Sequence, residues 1–488
     1  MIGENRGWFV PGLDEQILAQ NPWWTDPAAI GDDRHLLQYR ESGLHWTPPV
    51  LDVMPLRPGD TDTLRGPRQV GKTTSAKRLV QGLLERREPR VLYFSFDLVR
   101  DFREMPDVLA RAKQLHPDPA GPWYMFLDEV TSVADWQVGI KYAWDQGLTR
   151  DDYLLLTGSS AHDLRRGAEQ LPGRRGNGSD YLQLPMSFRD FAGLAAGIDV
   201  PAEAIPAEGC LTPDGRRLLA GLNLRISELQ RAFDAYRRIG GFPAAVRDYL
   251  VGGVATASEV TIRTLWDAVA GDIARAGLDT VAALKLLEEV GVSLGSALKW
   301  SGAARAMDVS DEAARRYVER LAEAFQLLTV YFWDLGGKTL SPSRQRKVYY
   351  IDPLLASVPS RILQGARGPS DDAVVENLVA VALFRSAART LVQAGAVPGA
   401  IAYWRSSNDR EIDFVVPTAA AGLRFPVEVK ADSRTSLAHA RLAIRNAFGR
   451  GLVVSRSTFD WAEDVAILPA PVLLAALDEK PRRELFVA

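Results

Sequence analysis

The sequence predicts an α/β protein: a first domain on a parallel sheet, then a mostly helical region, then a second, mixed α/β domain. Three observations predict it. Between residues 61 and 192 short apolar runs alternate with helical periodicities, as in a parallel sheet joined by crossover helices. A glycine-framed loop, Gly66 to Thr73, falls between the first strand and a good helix-forming run. Strand patterns then return beyond residue 361, after a long helical stretch.

The elements follow in order. Residues 1–60 are rich in Pro and Trp, with Asn21-Pro22-Trp23-Trp24 the densest aromatic cluster, and are read as an N-terminal extension packed on the next domain. Within 61–192 the expected strands are 61–65, 91–96, 123–127, 153–156 and a shorter 181–184. The later four are apolar runs ended by a polar residue or a glycine, as buried parallel strands should be. The first, Thr61-Asp62-Thr63-Leu64-Arg65, is unusually polar and is read as partly frayed. Residues 193–360 are mostly helical and open with a surface loop at 201–215. The last domain, 361–488, follows a linker at Gly365-Ala366-Arg367-Gly368-Pro369, with a helix at 374–386 and strands at 401–405, 412–416, 426–430 and 451–454.

Composition narrows the class. Hydrophobic and charged fractions of 47% and 24% are those of an ordinary globular chain, which argues against disorder. A net charge of -3 argues against a histone-like protein but leaves room for a local basic patch. Cys210 is the only cysteine, so neither an internal disulfide nor a thiolate metal cluster can form. No apolar stretch approaches the ~20 residues of a bilayer span, and Met1 to Trp8 lack a signal-type core. The expected setting is cytoplasmic, without a membrane.

The run Gly66-Pro67-Arg68-Gln69-Val70-Gly71-Lys72-Thr73-Thr74 is suited to a triphosphate. Gly66 and Gly71 let backbone N–H groups wrap a phosphate without Cβ clashes. Lys72 brings an ammonium to the β- and γ-phosphates, and Thr73 offers a hydroxyl to Mg²⁺ at a helix N-terminus whose dipole favours the anion. The cofactors expected are therefore ATP and Mg²⁺. About 56 residues downstream of Lys72, an apolar strand ends in Asp128-Glu129. Asp128 is the candidate for the Mg²⁺ shell and Glu129 for polarising the attacking water, against the plainer reading of an exposed acidic pair. That glutamate favours a hydrolase over a small-molecule kinase. Thr157 and Ser159 end a strand expected to lie between the two earlier ones, where a hydroxyl senses the γ-phosphate or simply caps the strand end. Arg174, in Gly173-Arg174-Arg175-Gly176, is either an arginine finger for the same or a neighbouring subunit or part of a solvated basic loop.

These strings, with Asp135-Trp136, Leu184-Pro185-Met186-Ser187-Phe188 and Gly240-Gly241-Phe242-Pro243, resemble the AAA-type (AAA_14) ATPases that carry a DUF4143 C-terminal region. The resemblance runs from about residue 20 onward and implies an ATPase core, a winged helix and a restriction-endonuclease-like C-terminal fold. Residues 281–333 fit the winged helix: three helices, then a strand. The third, 311–328 with Ser310 as N-cap, would expose Arg315, Arg316 and Arg320 to a nucleic acid such as DNA. A wing between 331–334 and 347–351 would add Lys338, Arg344, Arg346 and Lys347 as phosphate contacts. A module packed only against a protein partner is the alternative; an oligomer is compatible with either. At the C-terminus, Asp413 and Glu428-Val429-Lys430 are spaced as a β-hairpin, and Glu376 lies on an earlier helix. Together they resemble the PD-(D/E)XK nuclease constellation: Asp413 and Glu428 on a divalent ion, Glu376 completing its shell, Lys430 orienting water. The plainer alternative is a set of solvated strand ends.

Overall fold

The computed structural model describes residues 12–478 apart from 117, 119, 159–160, 389–399, 407–409, 419–422 and 431–432. The chain forms two compact units. One holds the residues up to Glu41, Met54–Arg65 and Gly71–Tyr181; the other holds Ser42–Val53, Gly66–Val70 and the chain from Leu182 on.

In the first unit the strands are β1 (Thr61–Arg65), β2 (Val91–Ser95), β3 (Tyr124–Asp128), β4 (Tyr153–Thr157) and the short β5 (Asp180–Leu182). Their order is β2-β3-β4-β1-β5, and β2, β3, β4 and β1 run parallel. Leu92, Phe94, Met125, Leu127, Leu154 and Leu156 pack against Met105, Leu109, Trp136 and Ile140 from the crossover helices. Each such side chain contributes ~1.5–3 kcal/mol by leaving water.

The polar strand β1 is not frayed: all five of its residues are buried. Its side chains are matched by the segment that follows. Asp62 accepts from the Tyr153 hydroxyl (2.9 Å) and the Ser179 N–H (2.7 Å). Thr63 donates to Asp180 (2.6 Å), which also receives Arg175. Burial pushes the Asp62 carboxyl up to about 6. A buried strand tolerates such polarity because Asp62 and Thr63 find hydrogen-bond partners.

The N-terminal residues cover the open edge of β2. Asn21 bridges Tyr93, its Oδ1 accepting from the Tyr93 N–H (2.8 Å) and its Nδ2 donating to the Tyr93 carbonyl (2.9 Å). The Trp23 and Trp24 indoles both donate to the Val91 carbonyl, and the Ser95 N–H donates to Gln20.

The second unit carries an eight-stranded mixed sheet: β6 (Leu327–Asp334), β7 (Thr339–Ser341), β8 (Lys347–Tyr350), β9 (Ala402–Arg405), β10 (Glu411–Pro417), β11 (Arg424–Val429), β12 (Gly451–Ser455) and β13 (Val465–Pro469). The order is β13-β12-β11-β10-β9-β6-β7, with β8 paired off this path to the first half of β6. Helices Thr280–Ser293, Trp300–Met307 and Asp311–Glu323 precede β6. The third helix is shorter than its periodicity predicts. Phe325, at φ +53°, turns the chain so that β6 starts at Leu327. The strands that flank the expected wing belong to the same sheet as the C-terminal strands, because β6 pairs with β9. No sheet boundary therefore falls at residue 360.

Candidate functional site

The phosphate loop begins where β1 ends. Gly66 has φ +152°, and a Cβ there would stand 2.0 Å from the Gln183 carbonyl oxygen, so no other residue fits. Gln69 (φ +64°) and Gly71 (φ +91°) take left-handed backbone, which turns successive N–H groups inward. Helix Lys72–Glu85 starts at once, so Lys72, Thr73 and Thr74 lie in its first turn. Within the second unit, Gln183 Nε2 donates to the Val70 carbonyl (2.8 Å), and Arg68 pairs with Asp272 (2.8 Å) on helix Glu259–Arg275. Arg68, expected at the phosphates, is thus turned to a carboxylate. Pro67, before it, is buried.

Within the first unit, Asp128 ends β3 and is buried. Its Oδ2 accepts from the Thr73 hydroxyl (2.8 Å) and the Tyr93 hydroxyl (2.8 Å). Its Oδ1 accepts from the Thr157 hydroxyl and from the Glu129 N–H (3.1 Å). Strand β4, lying between β1 and β3, brings Thr157 to this point. Glu129 holds left-handed backbone (φ +52°), a strained conformation for a glutamate and one that clusters at functional sites. Lys72 is buried beside Thr73. An oxygen-only set of one hydroxyl and one carboxylate, already in contact at a helix N-terminus, fits Mg²⁺, which takes few protein ligands when phosphates supply the rest.

Two further groups escaped the sequence reading. Tyr93 holds Asp128 from β2, and burial together with that carboxylate raises its hydroxyl well above its ordinary value. Lys77 lies over the Tyr93 ring at 3.5 Å and pairs with Asp33 at 3.2 Å. Burial lowers the Lys77 ammonium, against the pull of Asp33. Alternation along β2 and the i,i+4 spacing from Thr73 would have flagged both, but only with the partner strand known.

Two expectations fare differently. Ser159 lies outside the described residues. Arg174 is clamped by Asp145 (2.8 and 3.1 Å), and the neighbouring Arg175 carbonyl receives the Thr61 N–H. That places it at the edge where the strands start, opposite the edge carrying Lys72 and Asp128. A finger toward its own phosphate loop is corrected on that ground.

In the second unit Glu376, Asp413, Glu428 and Lys430 do come together. The β10–β11 pairing sets Asp413 opposite Glu428, whose Oε2 accepts the Asp413 N–H (2.9 Å). Lys430 pairs with Glu428 at 2.6 Å. A fifth member was not foreseen: Lys347, expected as a wing contact to phosphate, is fully buried among the carboxylates. Burial and the Asp413 carboxylate push Glu428 up to about 8, against Lys430, and push Glu376 up to about 7. Burial also works against Asp413, but Lys347 and Lys430 outweigh it and hold this carboxyl below the usual range. Among the described residues no three His, Cys, Asp or Glu side chains are arranged to hold a metal ion.

The other cations of the third helix and hairpin are partly engaged. Arg315 lies over Trp300, Arg320 pairs with Glu323, and Arg346 lies over Tyr331 and pairs with Glu319. Arg316, Lys338 and Arg344 are exposed, Arg344 lying over Phe332.

A glycine-framed loop entering a helix, an acidic strand end one strand removed, and an intervening hydroxyl define a P-loop ATPase domain. Residues 60–192 match the family described as AAA domain (AAA_14), and residues 371–473 match the domain of unknown function DUF4143. By these two matched segments the chain is similar to the AAA_14 ATPases that carry a DUF4143 C-terminal region. No curated protein matches it. Among solved structures, the Walker-type ATPase of Pyrococcus abyssi is similar at 13% identity and a TM-score of 0.40, over 66% of this chain and 95% of that one. The ORC2 protein of Aeropyrum pernix is similar at 12% identity and a TM-score of 0.34, over 78% and 96%. The ORC1 protein of Aeropyrum pernix, solved in complex with DNA, is similar at 14% identity and a TM-score of 0.27, over 73% and 96%. No helix of the described residues is long and apolar enough to cross a membrane.

Proposed function

We propose that the chain is a Mg²⁺-dependent, ATP-hydrolysing switch that acts on nucleic acid. The observation that carries the hydrolytic part is the Thr73–Asp128 contact with Glu129 beside it at the end of β3. Thr73 and Asp128 would hold Mg²⁺, which supplies neutralisation of the β- and γ-phosphate charge. Lys72 binds the same phosphates from the first helical turn, and the loop N–H groups orient them. Glu129 accepts a proton from the water in line with the γ-phosphate, and Thr157 reports through Asp128 whether that phosphate is present. The exposed Arg316, Lys338 and Arg344 support the nucleic-acid part. Arg174 is left for a neighbouring subunit.

A second reading, an ATP-dependent scaffold for protein partners, is favoured by one observation. Much of the cationic surface expected on the third helix and hairpin is paired or stacked internally, and Lys347 is out of reach. ATP turnover measured with and without duplex DNA, single-stranded DNA and RNA, across a salt series, separates the two. The first reading expects an altered rate and binding that weakens steadily with salt; no effect and no binding at low salt leaves the scaffold.

A further inference from the structure

The nuclease constellation implies a divalent ion among Asp413, Glu428 and Glu376, and the residues present do not fit one. We propose that the Lys347 ammonium holds that ion's place, so that the C-terminal region is an ion-paired, metal-free module and not a phosphodiesterase.

The cation comes from β8. Alternation puts Lys347 and Tyr349 on one face of this strand. Lys347 Nζ then stands 2.6 Å from Glu411, 3.0 Å from Asp413 and 3.4 Å from Glu376. The Tyr349 hydroxyl donates to the same Glu376 oxygen at 2.6 Å. A divalent ion binds carboxylate oxygens at about 2.0–2.6 Å, so its position and that of the ammonium overlap.

The other carboxylate oxygens of the hairpin are engaged as well. Asp413 Oδ2 accepts the Val429 N–H (2.9 Å), and Glu428 Oε1 faces Lys430 at 2.6 Å. Two ammonium groups thus serve four carboxylates. Each of the four carboxylates already faces an ammonium, so a metal would have to expel a cation to enter.

The test is Mn²⁺ titration of the full, nucleotide-free chain, with Asp128→Asn as the control that subtracts the phosphate-loop site. Wild type should show no Mn²⁺ site sensitive to Asp413→Asn and no Mn²⁺-dependent nicking of supercoiled DNA. Folded Lys347→Ala should gain Mn²⁺ affinity at least tenfold, and Asp413→Asn added to it should remove the gain. An Asp413-dependent Mn²⁺ site or nicking in wild type overturns the proposal, as does a folded Lys347→Ala without the gain. If Lys347→Ala does not fold, Mn²⁺-titrated melting of wild type against Asp413→Asn decides alone: an Asp413-dependent rise in melting temperature overturns it, and its absence supports it.

Discussion

Gly66→Ala tests the phosphate loop most directly. A Cβ at this position would stand 2.0 Å from the Gln183 carbonyl oxygen and 3.1 Å from its carbon. Restoring an ordinary contact of about 3.2 Å requires the loop or the Gln183 backbone to give by roughly 1 Å. Gln183 is itself buried and already holds the Val70 carbonyl, so the loop is the part that moves. A shift of about 1 Å takes an N–H···O bond from ~2.9 Å to nearly 4 Å, where it no longer counts as one. Losing two charge-assisted bonds to phosphate costs about 3–6 kcal/mol, or roughly 10²- to 10⁴-fold in nucleotide affinity. The assay is titration with a fluorescent ATP analogue, alongside circular dichroism to confirm folding. A folded variant that binds within threefold of wild type would refute the assignment of this loop to phosphate.

Further expectations rest on other contacts. Glu129→Gln should bind ATP as wild type does while turnover falls at least ~10²-fold; a wild-type rate in a phosphate-release assay removes Glu129 from the chemistry. Asn21→Ala should destabilise the first unit by about 2–5 kcal/mol, because the buried Tyr93 N–H and C=O lose their partner; thermal melting reads this. Glu428 keeps its proton to about pH 8 in the folded chain, whereas in the unfolded chain it loses it near pH 4.5. Between those values the folded state binds more protons, so its contribution to stability is greatest below pH 4.5 and is lost as pH rises toward 8. Glu428→Gln should flatten that decline in denaturant midpoints measured from pH 5 to 9, and an unchanged slope counts against the raised carboxyl.

Much of the first domain was legible in the chain because its signals are local. The strands ending at Asp128 and Thr157 are apolar runs that sit close to their expected positions, and the loop from Gly66 to Thr73 carries its chemistry in consecutive residues. What was missed depends on partners distant in sequence. The polarity of β1 reads as fraying until Ser179 and Asp180 are seen to match it. Lys347 reads as a wing cation until β6 is found beside β9, which draws β8 toward Glu376 and Asp413. Arg174 reads as a finger because glycines flank it, yet only the sheet direction reveals which edge it occupies. Spacing along the chain pointed to Asp413 and Glu428 as neighbours, but not to the cation that joins them.

The covering of β2 bears on how the protein behaves in solution. An outermost strand leaves a row of main-chain donors and acceptors able to recruit a strand from another molecule, the usual seed of edge-to-edge aggregation. Here the Val91 carbonyl, the Tyr93 N–H and carbonyl and the Ser95 N–H are held by Gln20, Asn21, Trp23 and Trp24. The amide of one asparagine imitates the neighbour that a sixth strand would have been. Trimming the chain past Trp24 would lay that row bare, and the shortened protein would self-associate through it before it lost its capacity to fold.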